Sequence, residues 1–413
     1  MSIIRYCAWA SAIFALAAAT FVCSASVPAG DAADSQPDCS LVPGQVIFHS
    51  PASSGIYVGS PGIVRLLNGD YLAKCDEFGP RSTEKTIAVT RVFRSSDRGE
   101  TWKEVAVVPG MYWASIFVHR EAAYLMGPDR LHGRVVIMRS TDAGHTWSTP
   151  TDGKSGLLLA DGRYHSAPVP VVVHRGRIWK CMEHVGGSGE GMLRYEAFVL
   201  SASADSDLLD SASWSVSNYL PSDRRWLDGN FAGWLEGNAV VTPAGELVDI
   251  LRVNGPLGRL AAAVHISKDG SKMAFDPKAD FVDLPGGATK FTIRRDEKTK
   301  RYYSLANYVL PGDRNLSPAK TRNTLALIWS SDLVNWSVQA IIFHHSDPIA
   351  HAFQYVDWEF DGEDLIAASR TAYDDGLGGA HNAHDANFLT FHRIRNFRTL
   401  SQDVDRATQK NAE

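Results

Sequence analysis

The sequence R-S-S-D-R-G-E-T-W occupies Arg94–Trp102. It recurs as R-S-T-D-A-G-H-T-W at Arg139–Trp147 and, in shortened form, as W-S-S-D-L-V-N-W at Trp329–Trp336. In such a turn the aspartate carboxylate accepts hydrogen bonds from turn amides, the glycine takes a positive φ, and the tryptophan fills an apolar slot beside the hairpin. Two full copies about 45 residues apart, each at the end of a strand-like run, indicate a repeat architecture built from β-sheets.

Runs of β-branched and aromatic residues, separated by Gly, Asp and Asn turns, continue from Gln45 to Phe397 with hardly any helical periodicity. Grouping these runs into blades of up to four strands gives six, whose first strands are predicted to begin near Ser60, Ser115, Ala167, Asn238, Lys290 and Phe353. The long interval between the third and fourth of these starts has room for a seventh. The sequence therefore predicts an all-β fold with a single β-propeller of six blades, or seven if that interval holds another.

The last predicted blade has no candidate for a fourth strand after His392. Gln45–His49 has a strand-like pattern and lies at the other end of the domain. We predict that it completes the last blade, because N- and C-terminal strands that pair close the ring and leave no exposed sheet edge.

The N-terminus has the composition of an export signal. Arg5 precedes the apolar run Tyr6–Cys23, which is short for a membrane span, and the small residues Ser24–Ser26 offer a cleavage site. The predicted organisation is a signal peptide at 1–26, a flexible segment at 27–43, the propeller catalytic domain at 44–397 and a polar tail at 398–413. We therefore expect a secreted or periplasmic protein.

The composition limits the partners of the protein. A net charge of −5 over 413 residues gives no basic bias, so we expect neither nucleic acid nor a membrane as partner. We also expect the protein to be a monomer. The 11 Trp and 13 Tyr suit stacking on sugar rings, although most of these side chains are expected inside the blades.

Three cysteines remain after the predicted cleavage, Cys39, Cys75 and Cys181. An odd number allows at most one disulfide, and Cys39–Cys75 is one pairing that would tie down the N-terminal arm. The spacing Cys181-x-x-His184 resembles half of a zinc site but lacks a second pair. We expect no cofactor, leave a bound calcium open and assign no metal site.

Propeller topology separates two faces. The innermost strand of each blade runs away from the ligand-binding face, so the loops between second and third strands and the links between blades lie on that face. The turns with Asp97, Asp142 and Asp332 lie on the opposite one. Polar and aromatic residues are concentrated on the predicted ligand face: His132, His165, Arg194, Arg252, Arg370, Tyr112, Trp113, Trp234, Glu236, Tyr373, His381 and His384.

These residue types suit an anionic sugar. Arginine binds a carboxylate with two parallel hydrogen bonds, and histidine or tyrosine moves protons near neutral pH. Each candidate also has a structural alternative. A loop arginine can pair with a neighbouring aspartate, His381 and His384 can bond loop carbonyls, His165 can belong to the core, and Glu236 can bond backbone amides at a strand start.

The repeated turns resemble the Asp-boxes of sialidase-type β-propellers, and the run P-G-I-V-R-L-L-N-G-D-Y-L-A at Pro61–Ala73 is similar to a sialidase segment. Sialidases open that segment with Phe/Tyr-Arg-Ile-Pro, whose arginine begins the triad that binds the sialate carboxylate. This chain has Gly59 at that position. The resemblance therefore implies the fold, while sialic acid recognition is not expected and no Tyr/Glu nucleophile pair is assigned.

A resemblance to a second family covers nearly the whole mature chain. Among the stretches that carry it are Y-H-S-A-P-V-P-V-V-V-H-R-G-R-I-W, G-W-L-E-G-N-A-V-V-T-P and A-H-N-A-H-D-A-N-F-L-T-F-H-R-I-R-N-F-R. They are similar to the propellers that cleave α-L-rhamnosyl-(1→4)-D-glucuronate ends, described first as hydrolases and later as lyases, and more distantly to ulvan lyases. Those relatives are usually described as seven-bladed, and some have histidine where this chain has Cys75.

This second resemblance implies β-elimination. An arginine would neutralise the glucuronate carboxylate and acidify the C5 proton, and a histidine or tyrosine would remove that proton as rhamnose leaves from C4. The residues on matching loops are His132, Arg194, Arg252 and Arg370, and His165 is added as a further catalytic candidate. Tyr112, Trp113, Trp234, Glu236, Tyr373, His381 and His384 are then the expected substrate-binding residues.

The sequence therefore predicts a secreted carbohydrate-active enzyme, a lyase acting on rhamnosyl-glucuronate linkages of an anionic plant or algal polysaccharide. The alternatives are a glycoside hydrolase of the same linkage, an exo-α-sialidase, and a non-catalytic glycan-binding propeller.

Overall fold

The computed structural model describes residues 36–255 and 258–401, which form 27 β-strands and five 3-10 helices. The predicted signal peptide at 1–26, residues 27–35 of the segment at 27–43 and residues 402–413 of the tail at 398–413 lie outside the described residues. The helices are short: Ala52–Ser54, Ser211–Ser213, Leu227–Gly229, Pro311–Asp313 and Phe397–Thr399. None of the described helices is long and apolar enough to cross a membrane.

Within this part of the chain the strands form six antiparallel sheets, the blades. The first strand in the chain is β1 (Gln45–His49). Blade 1 contains β2 (Tyr57–Val58), β3 (Gly62–Arg65), β4 (Tyr71–Phe78), β5 (Val89–Ser95) and β6 (Lys103–Pro109). Blade 2 contains β7 (Ser115–His119), β8 (Ala122–Pro128), β9 (Val135–Ser140) and β10 (Leu157–Leu159).

The long interval holds blade 3 and the start of blade 4. Blade 3 contains β11 (Tyr164–His165), β12 (Val172–His174), β13 (Arg177–Val185), β14 (Tyr195–Ser203) and β15 (Trp214–Val216). Blade 4 contains β16 (Trp234–Val241), β17 (Leu247–Val253), β18 (Leu260–Ile266), β19 (Met273–Ala274) and β20 (Phe281–Asp283). The interval therefore contributes long strands and loops to these blades, and the described residues form a six-bladed propeller.

Blade 5 contains β21 (Thr292–Arg295), β22 (Tyr302–Asn307), β23 (Thr324–Ser330) and β24 (Trp336–His344). Blade 6 contains β25 (Ala352–Asp361), β26 (Asp364–Ala372) and β27 (Phe388–Ile394), and β1 is its fourth strand. The pairs Gln45↔Phe391 and His49↔Phe388 join β1 to β27 in antiparallel register. The predicted closure of the ring is confirmed.

The repeated turns have the predicted internal structure. Oδ1 of Asp97 accepts the Thr101 amide at 2.9 Å, Gly99 has φ 96°, and the Trp102 indole donates to the Gly99 carbonyl at 3.1 Å. The other full copy repeats these bonds around Asp142. In the shortened copy Leu333 takes the positive φ of 69°. All three turns connect third and fourth strands, which places them opposite the predicted ligand face.

The sequence allowed at most one disulfide among Cys39, Cys75 and Cys181, and the structure, which describes all three, has none. Cys39, Cys75 and Cys181 are free thiols in the structure, and Cys75 is fully buried within β4. Cys181 and His184 lie three positions apart on strand β13, so their side chains point to opposite faces of the sheet and cannot share a metal. No group of three or more His, Cys, Asp or Glu in residues 36–255 and 258–401 is arranged to hold a metal ion.

Candidate functional site

The starts of first strands and the ends of second strands meet on the predicted ligand face. We name the cluster of side chains there the funnel, and define it by Trp113, His132, His165, Tyr195, Glu236, Arg252, Arg322, Tyr355 and Arg370. Four of these residues have a left-handed backbone: Trp113, His132, Glu236 and Tyr355, with φ between 48° and 63°. Non-glycine residues adopt this conformation at an energetic cost and are concentrated at functional sites.

Two of the left-handed residues lie in β-bulges. The pairing of β16 with β17 shifts register between Leu235 and Asn238, and Glu236 lies inside the shift. The pairing of β25 with β26 shifts between Gln354 and Asp357, and Tyr355 lies inside that one. A bulge redirects a side chain from the ordinary alternation of a strand, which is how both side chains come to face the funnel.

Three buried arginines from three blades converge on Tyr355. The guanidinium carbons of Arg322 and Arg370 lie 5.3 and 5.0 Å from the centre of its ring. Arg252 donates to Oε2 of Glu236 at 2.8 Å and to the Ala288 carbonyl at 2.8 Å. The remaining hydrogen bonds fix the other two guanidinium groups: Arg322 donates to Gln354 and Ala319, and Arg370 donates to the carbonyl of His384.

The charges of this cluster do not balance. Burial lowers the pKa of Arg370 to about 10, Tyr355 opposes that effect and Arg322 adds to it. Burial also lowers the pKa of Arg322. For Glu236, burial raises the pKa, but Arg252, His165 and Arg322 together lower it by more, so the net shift is downward. Among the described residues, two carboxylates form ion pairs with these arginines: Glu236 lies 2.8 Å from Arg252, and Asp385 lies at the longer distance of 4.0 Å from Arg370.

Unmatched buried cations favour an anionic ligand. Three guanidinium groups with one close carboxylate, Glu236, and one distant carboxylate, Asp385, leave positive charge in a site shielded from water, where a carboxylate or similar anion is bound strongly. The arrangement is therefore chemically suited to bind an anion beside the Tyr355 hydroxyl.

A histidine with a carboxylate partner belongs to the same cluster. Nδ1 of His165 lies 2.7 Å from Oε2 of Glu183, and the other oxygen of Glu183 accepts the Gly237 amide at 3.1 Å. The imidazole ring lies 4.4 Å from the ring of Trp113 and 5.0 Å from that of Tyr195. A carboxylate at Nδ1 orients the ring and leaves Nε2 for proton transfer.

His132 forms a second proton-transfer candidate. Its Nδ1 lies 3.0 Å from Glu84 and its Nε2 lies 3.1 Å from the Tyr195 hydroxyl. Burial lowers the pKa of His132 to about 4, despite the hydrogen bond to Glu84, so the imidazole is neutral at pH 7. Arg194 stacks over Tyr195 at 5.3 Å, and no described acceptor satisfies its buried Nε.

Asp76 supports the funnel without facing it. It accepts the Trp113 amide at 2.7 Å, the Thr90 hydroxyl at 2.7 Å and the Lys74 ammonium at 3.0 Å. These bonds hold Trp113 in its left-handed conformation, stacked on Tyr112 at 4.5 Å. A Cβ at Gly59 would lie 2.8 Å from the Asp76 carbonyl, so the position where sialidases have an arginine has no room for a side chain.

The structure brings most of the predicted residues together. His132, His165, Arg252, Arg370, Glu236 and Trp113 line the funnel, while Arg194, Tyr112 and His384 lie directly against it. Tyr373 packs on His351 at 4.9 Å, and the exposed His381 stacks on Tyr57 at 5.2 Å, so both lie nearer the rim.

The prediction that Trp234 binds the substrate is wrong. It is 0% exposed in the core between blades and donates its indole N–H to the Tyr195 carbonyl, so it cannot contact a substrate. Sequence reasoning also missed Arg322 and Tyr355. Tyr355 occurs inside a predicted first strand and Arg322 at the end of a long loop, and neither stretch carries a motif that marks them.

Comparisons with known proteins show which solved structures share this fold. No protein-family model matches the chain, and none of the curated proteins matches it significantly. Solved structures do resemble it. An α-L-arabinanase from Penicillium chrysogenum complexed with arabinobiose is 14% identical, with a TM-score of 0.52, and the match covers 86% of this chain and 99% of that one.

Two further structures give the same picture. The α-L-arabinofuranosidase of Fusarium graminearum in complex with an iminosugar inhibitor is 12% identical, with a TM-score of 0.55 and coverage of 86% and 98%. A Hadza microbial sialidase is 13% identical, with a TM-score of 0.57 and coverage of 86% and 69%. At these identities the likeness establishes a sialidase-like propeller fold.

Proposed function

We propose that the protein is a glycan-cleaving enzyme whose substrate carries a carboxylate on the sugar held in the funnel. The observation that carries this proposal is the convergence of Arg252, Arg322 and Arg370 on Tyr355, with Glu236 as their one carboxylate partner at hydrogen-bond distance among the described residues. The named structural neighbours, an arabinanase, an arabinofuranosidase and a sialidase, support a glycan as substrate. We further propose that the enzyme acts as an exported monomer on an anionic oligo- or polysaccharide.

The geometry best supports hydrolysis through a covalent intermediate. The arginines bind the carboxylate, and the Tyr355 hydroxyl attacks the anomeric carbon while Glu236, which shares Arg252 with it, accepts the hydroxyl proton. His165, oriented by Glu183, protonates the departing glycosidic oxygen. The same histidine then takes a proton from the water that attacks the anomeric carbon, and Glu236 returns its proton to the Tyr355 oxygen as the bond between tyrosine and sugar breaks.

A second chemistry is favoured by the neutral His132. In β-elimination on an α-L-rhamnosyl-(1→4)-D-glucuronate end, an arginine neutralises the carboxylate, and His132, acting directly or through Tyr195, removes the C5 proton. The C4–O bond breaks, the leaving oxygen takes a proton from water so that rhamnose is released, and an unsaturated uronate remains. The lowered pKa of His132, caused by burial, keeps the imidazole available as a base.

One experiment separates the two chemistries. The wild-type protein and the variants Tyr355→Phe and His132→Gln are incubated with gum arabic side chains, a sialoside and neutral arabinan. Released sugars are measured by chromatography, and unsaturated uronate by ultraviolet absorbance. Hydrolysis predicts a released acidic sugar that Tyr355→Phe abolishes, whereas elimination predicts an absorbance rise that His132→Gln abolishes.

A third outcome would overturn the enzyme proposal. If no product forms from any acidic glycan and Arg322→Met leaves glycan affinity unchanged, the funnel is not an anion-binding active site. Cleavage of arabinan alone would also contradict the proposal, because a neutral sugar has no carboxylate for the arginines to bind.

A further inference from the structure

The regular backbone pairing between β25 and β26 is interrupted at the bulge that carries Tyr355. Gln354 pairs with Arg370 and Asp357 pairs with Ala368, so Tyr355 and Val356 together face Ser369. Two residues opposite one interrupt the regular hydrogen bonds and bend the strand. The backbone at Tyr355, with φ 55°, therefore depends on contacts from outside its own sheet.

A buried lysine from the neighbouring blade supplies those contacts. The Lys290 ammonium donates to the Val356 carbonyl at 2.8 Å, to the Tyr355 carbonyl at 3.3 Å and to the Thr292 hydroxyl at 2.6 Å. The Thr292 hydroxyl in turn donates to the Val356 carbonyl at 3.0 Å. All three protons of the ammonium are used, and two of them bind the carbonyls of the bulge.

Stability alone does not explain a lysine at this position. Lys290 is 2% exposed, and burying an ammonium is costly, whereas an apolar side chain of similar volume would pack at lower cost. Burial lowers the pKa of Lys290 to about 7, against the attraction of Asp357 and Glu236. This energetically costly lysine lies next to Tyr355, the tyrosine at the centre of the site.

Two other blades also place a buried charged side chain against the backbone of the next blade. Asp76 of blade 1 holds the Trp113 amide at the start of blade 2, and Glu183 of blade 3 holds the Gly237 amide in the bulge of Glu236 in blade 4. In each case a buried charged side chain of one blade binds the backbone at or next to a left-handed residue of the next blade.

We propose that Lys290 is a positioning residue, which holds the bulge so that the Tyr355 hydroxyl stays among Arg252, Arg322 and Arg370. The inference rests on the proposed role of Tyr355 in cleavage. Lys290 does not touch the substrate; it acts through the backbone carbonyls on either side of the bulge.

The test compares Lys290→Met with Lys180→Met. Lys180 is a matched control because it is equally buried, but it donates to the Ser115 hydroxyl and the Ala167 carbonyl, away from the bulge. Each variant is labelled with 3-fluorotyrosine at its 13 tyrosines, and Tyr355→Phe identifies the Tyr355 signal in the fluorine NMR spectrum. The same samples give kcat and KM on the best acidic glycan.

We expect Lys290→Met to move or broaden the Tyr355 signal and to lower kcat about 100-fold with KM within about threefold, since misplacement of a reacting group by about 1 Å has an effect of that size. Lys180→Met should leave the signal in place. Thr292→Val removes the hydroxyl that bonds Lys290 and the Val356 carbonyl, with little change in volume. It should move the Tyr355 signal in the same direction by a smaller amount. If Lys290→Met does not fold, Thr292→Val tests the inference in its place.

Two results would overturn the inference. One is a Tyr355 signal unchanged by both Lys290→Met and Thr292→Val, and the other is an equal change in Lys180→Met, which would indicate general loosening of the centre. Inactivity of the wild-type protein on every acidic glycan would count against the proposed function, whereas the fluorine spectra still decide the role of Lys290.

Discussion

Oε2 of Glu236 lies 2.8 Å from a guanidinium nitrogen of Arg252, and both side chains are buried at the mouth of blade 4. Nε of the same guanidinium donates to the Ala288 carbonyl, at the link into blade 5. Arg252 thus joins two blades and neutralises Glu236, so the charges of Arg322 and Arg370 remain available to a ligand. The surplus of positive charge in the funnel depends on this pairing.

Removal of Arg252 should therefore affect stability as well as activity. We expect Arg252→Met to lower the free energy of unfolding by about 3–5 kcal/mol, because it leaves a buried carboxylate without its partner. Urea unfolding measures the loss. The double variant with Glu236→Gln should recover much of it, and Arg259→Met, which breaks the exposed pair with Asp283, should cost less than about 1 kcal/mol. A similar loss in Arg259→Met would contradict this account.

Arg370 should determine selectivity for acidic sugars. We expect Arg370→Met to raise the Kd of a carboxylated oligosaccharide about 100-fold, since a buried guanidinium bound to a carboxylate contributes strongly to affinity. Binding of the analogue whose carboxyl group is reduced to an alcohol should change little. Calorimetric titration measures both, with the half-exposed Arg65→Met as control. Equal weakening of both ligands would indicate a packing role instead.

Buried histidines should make the protein less stable in acid. Burial lowers the pKa of His392 to about 3 and that of His132 to about 4, whereas both titrate near 6.5 when unfolded. The unfolded chain therefore binds more protons between pH 6.5 and 4, and stability falls as the pH falls through that window, by up to about 1.4 kcal/mol per pH unit for each histidine.

Unfolding in urea at several pH values between 7 and 4 measures this dependence. His392→Gln, which keeps a hydrogen-bonding group beside the Thr390 hydroxyl, should make the slope shallower. A wild-type free energy of unfolding that stays constant from pH 6.5 to 4 would show that these histidines are not held neutral.

Asp97 should matter for folding and not for chemistry. Its carboxylate accepts both the amide and the hydroxyl of Thr101 in a turn on the face opposite the funnel. We expect Asp97→Ala to lower Tm while kcat and KM stay at wild-type values. The exposed Asp205→Ala provides a control that should change neither quantity, and a fall in kcat for Asp97→Ala would contradict the assignment of faces.

Much of the fold could be predicted because its signals are local. The Asp-containing turns, the alternating strands and the unpaired last blade are visible in short windows of sequence, and the structure confirms the ring closed by β1 and β27. Topology alone then placed Arg252, Arg370, Glu236 and His165 on one face. The side chain that packs at each strand start was harder to predict, because bulges alter the alternation of period two.

The errors at the site arise from those bulges. In a regular strand Trp234 and Glu236 would share a face, yet the register shift in β16 sends Trp234 into the core and Glu236 into the funnel. Tyr355 escaped notice for the same reason, since only the shift in β25 turns it toward the arginines. Arg322 reaches Tyr355 because of the path of the long loop before β23.

The sequence by itself determined the propeller, the strand that closes it, and which face carries the structural turns, because these follow from turn chemistry and strand periodicity within short segments. Only the tertiary structure decided that Arg252, Arg322 and Arg370 surround one tyrosine. It also decided that Asp76, Glu183 and Lys290 each form hydrogen bonds with the backbone of the next blade. These residues lie far apart in the chain, and their contacts depend on backbone register and on the packing of one blade against the next, which no local pattern encodes.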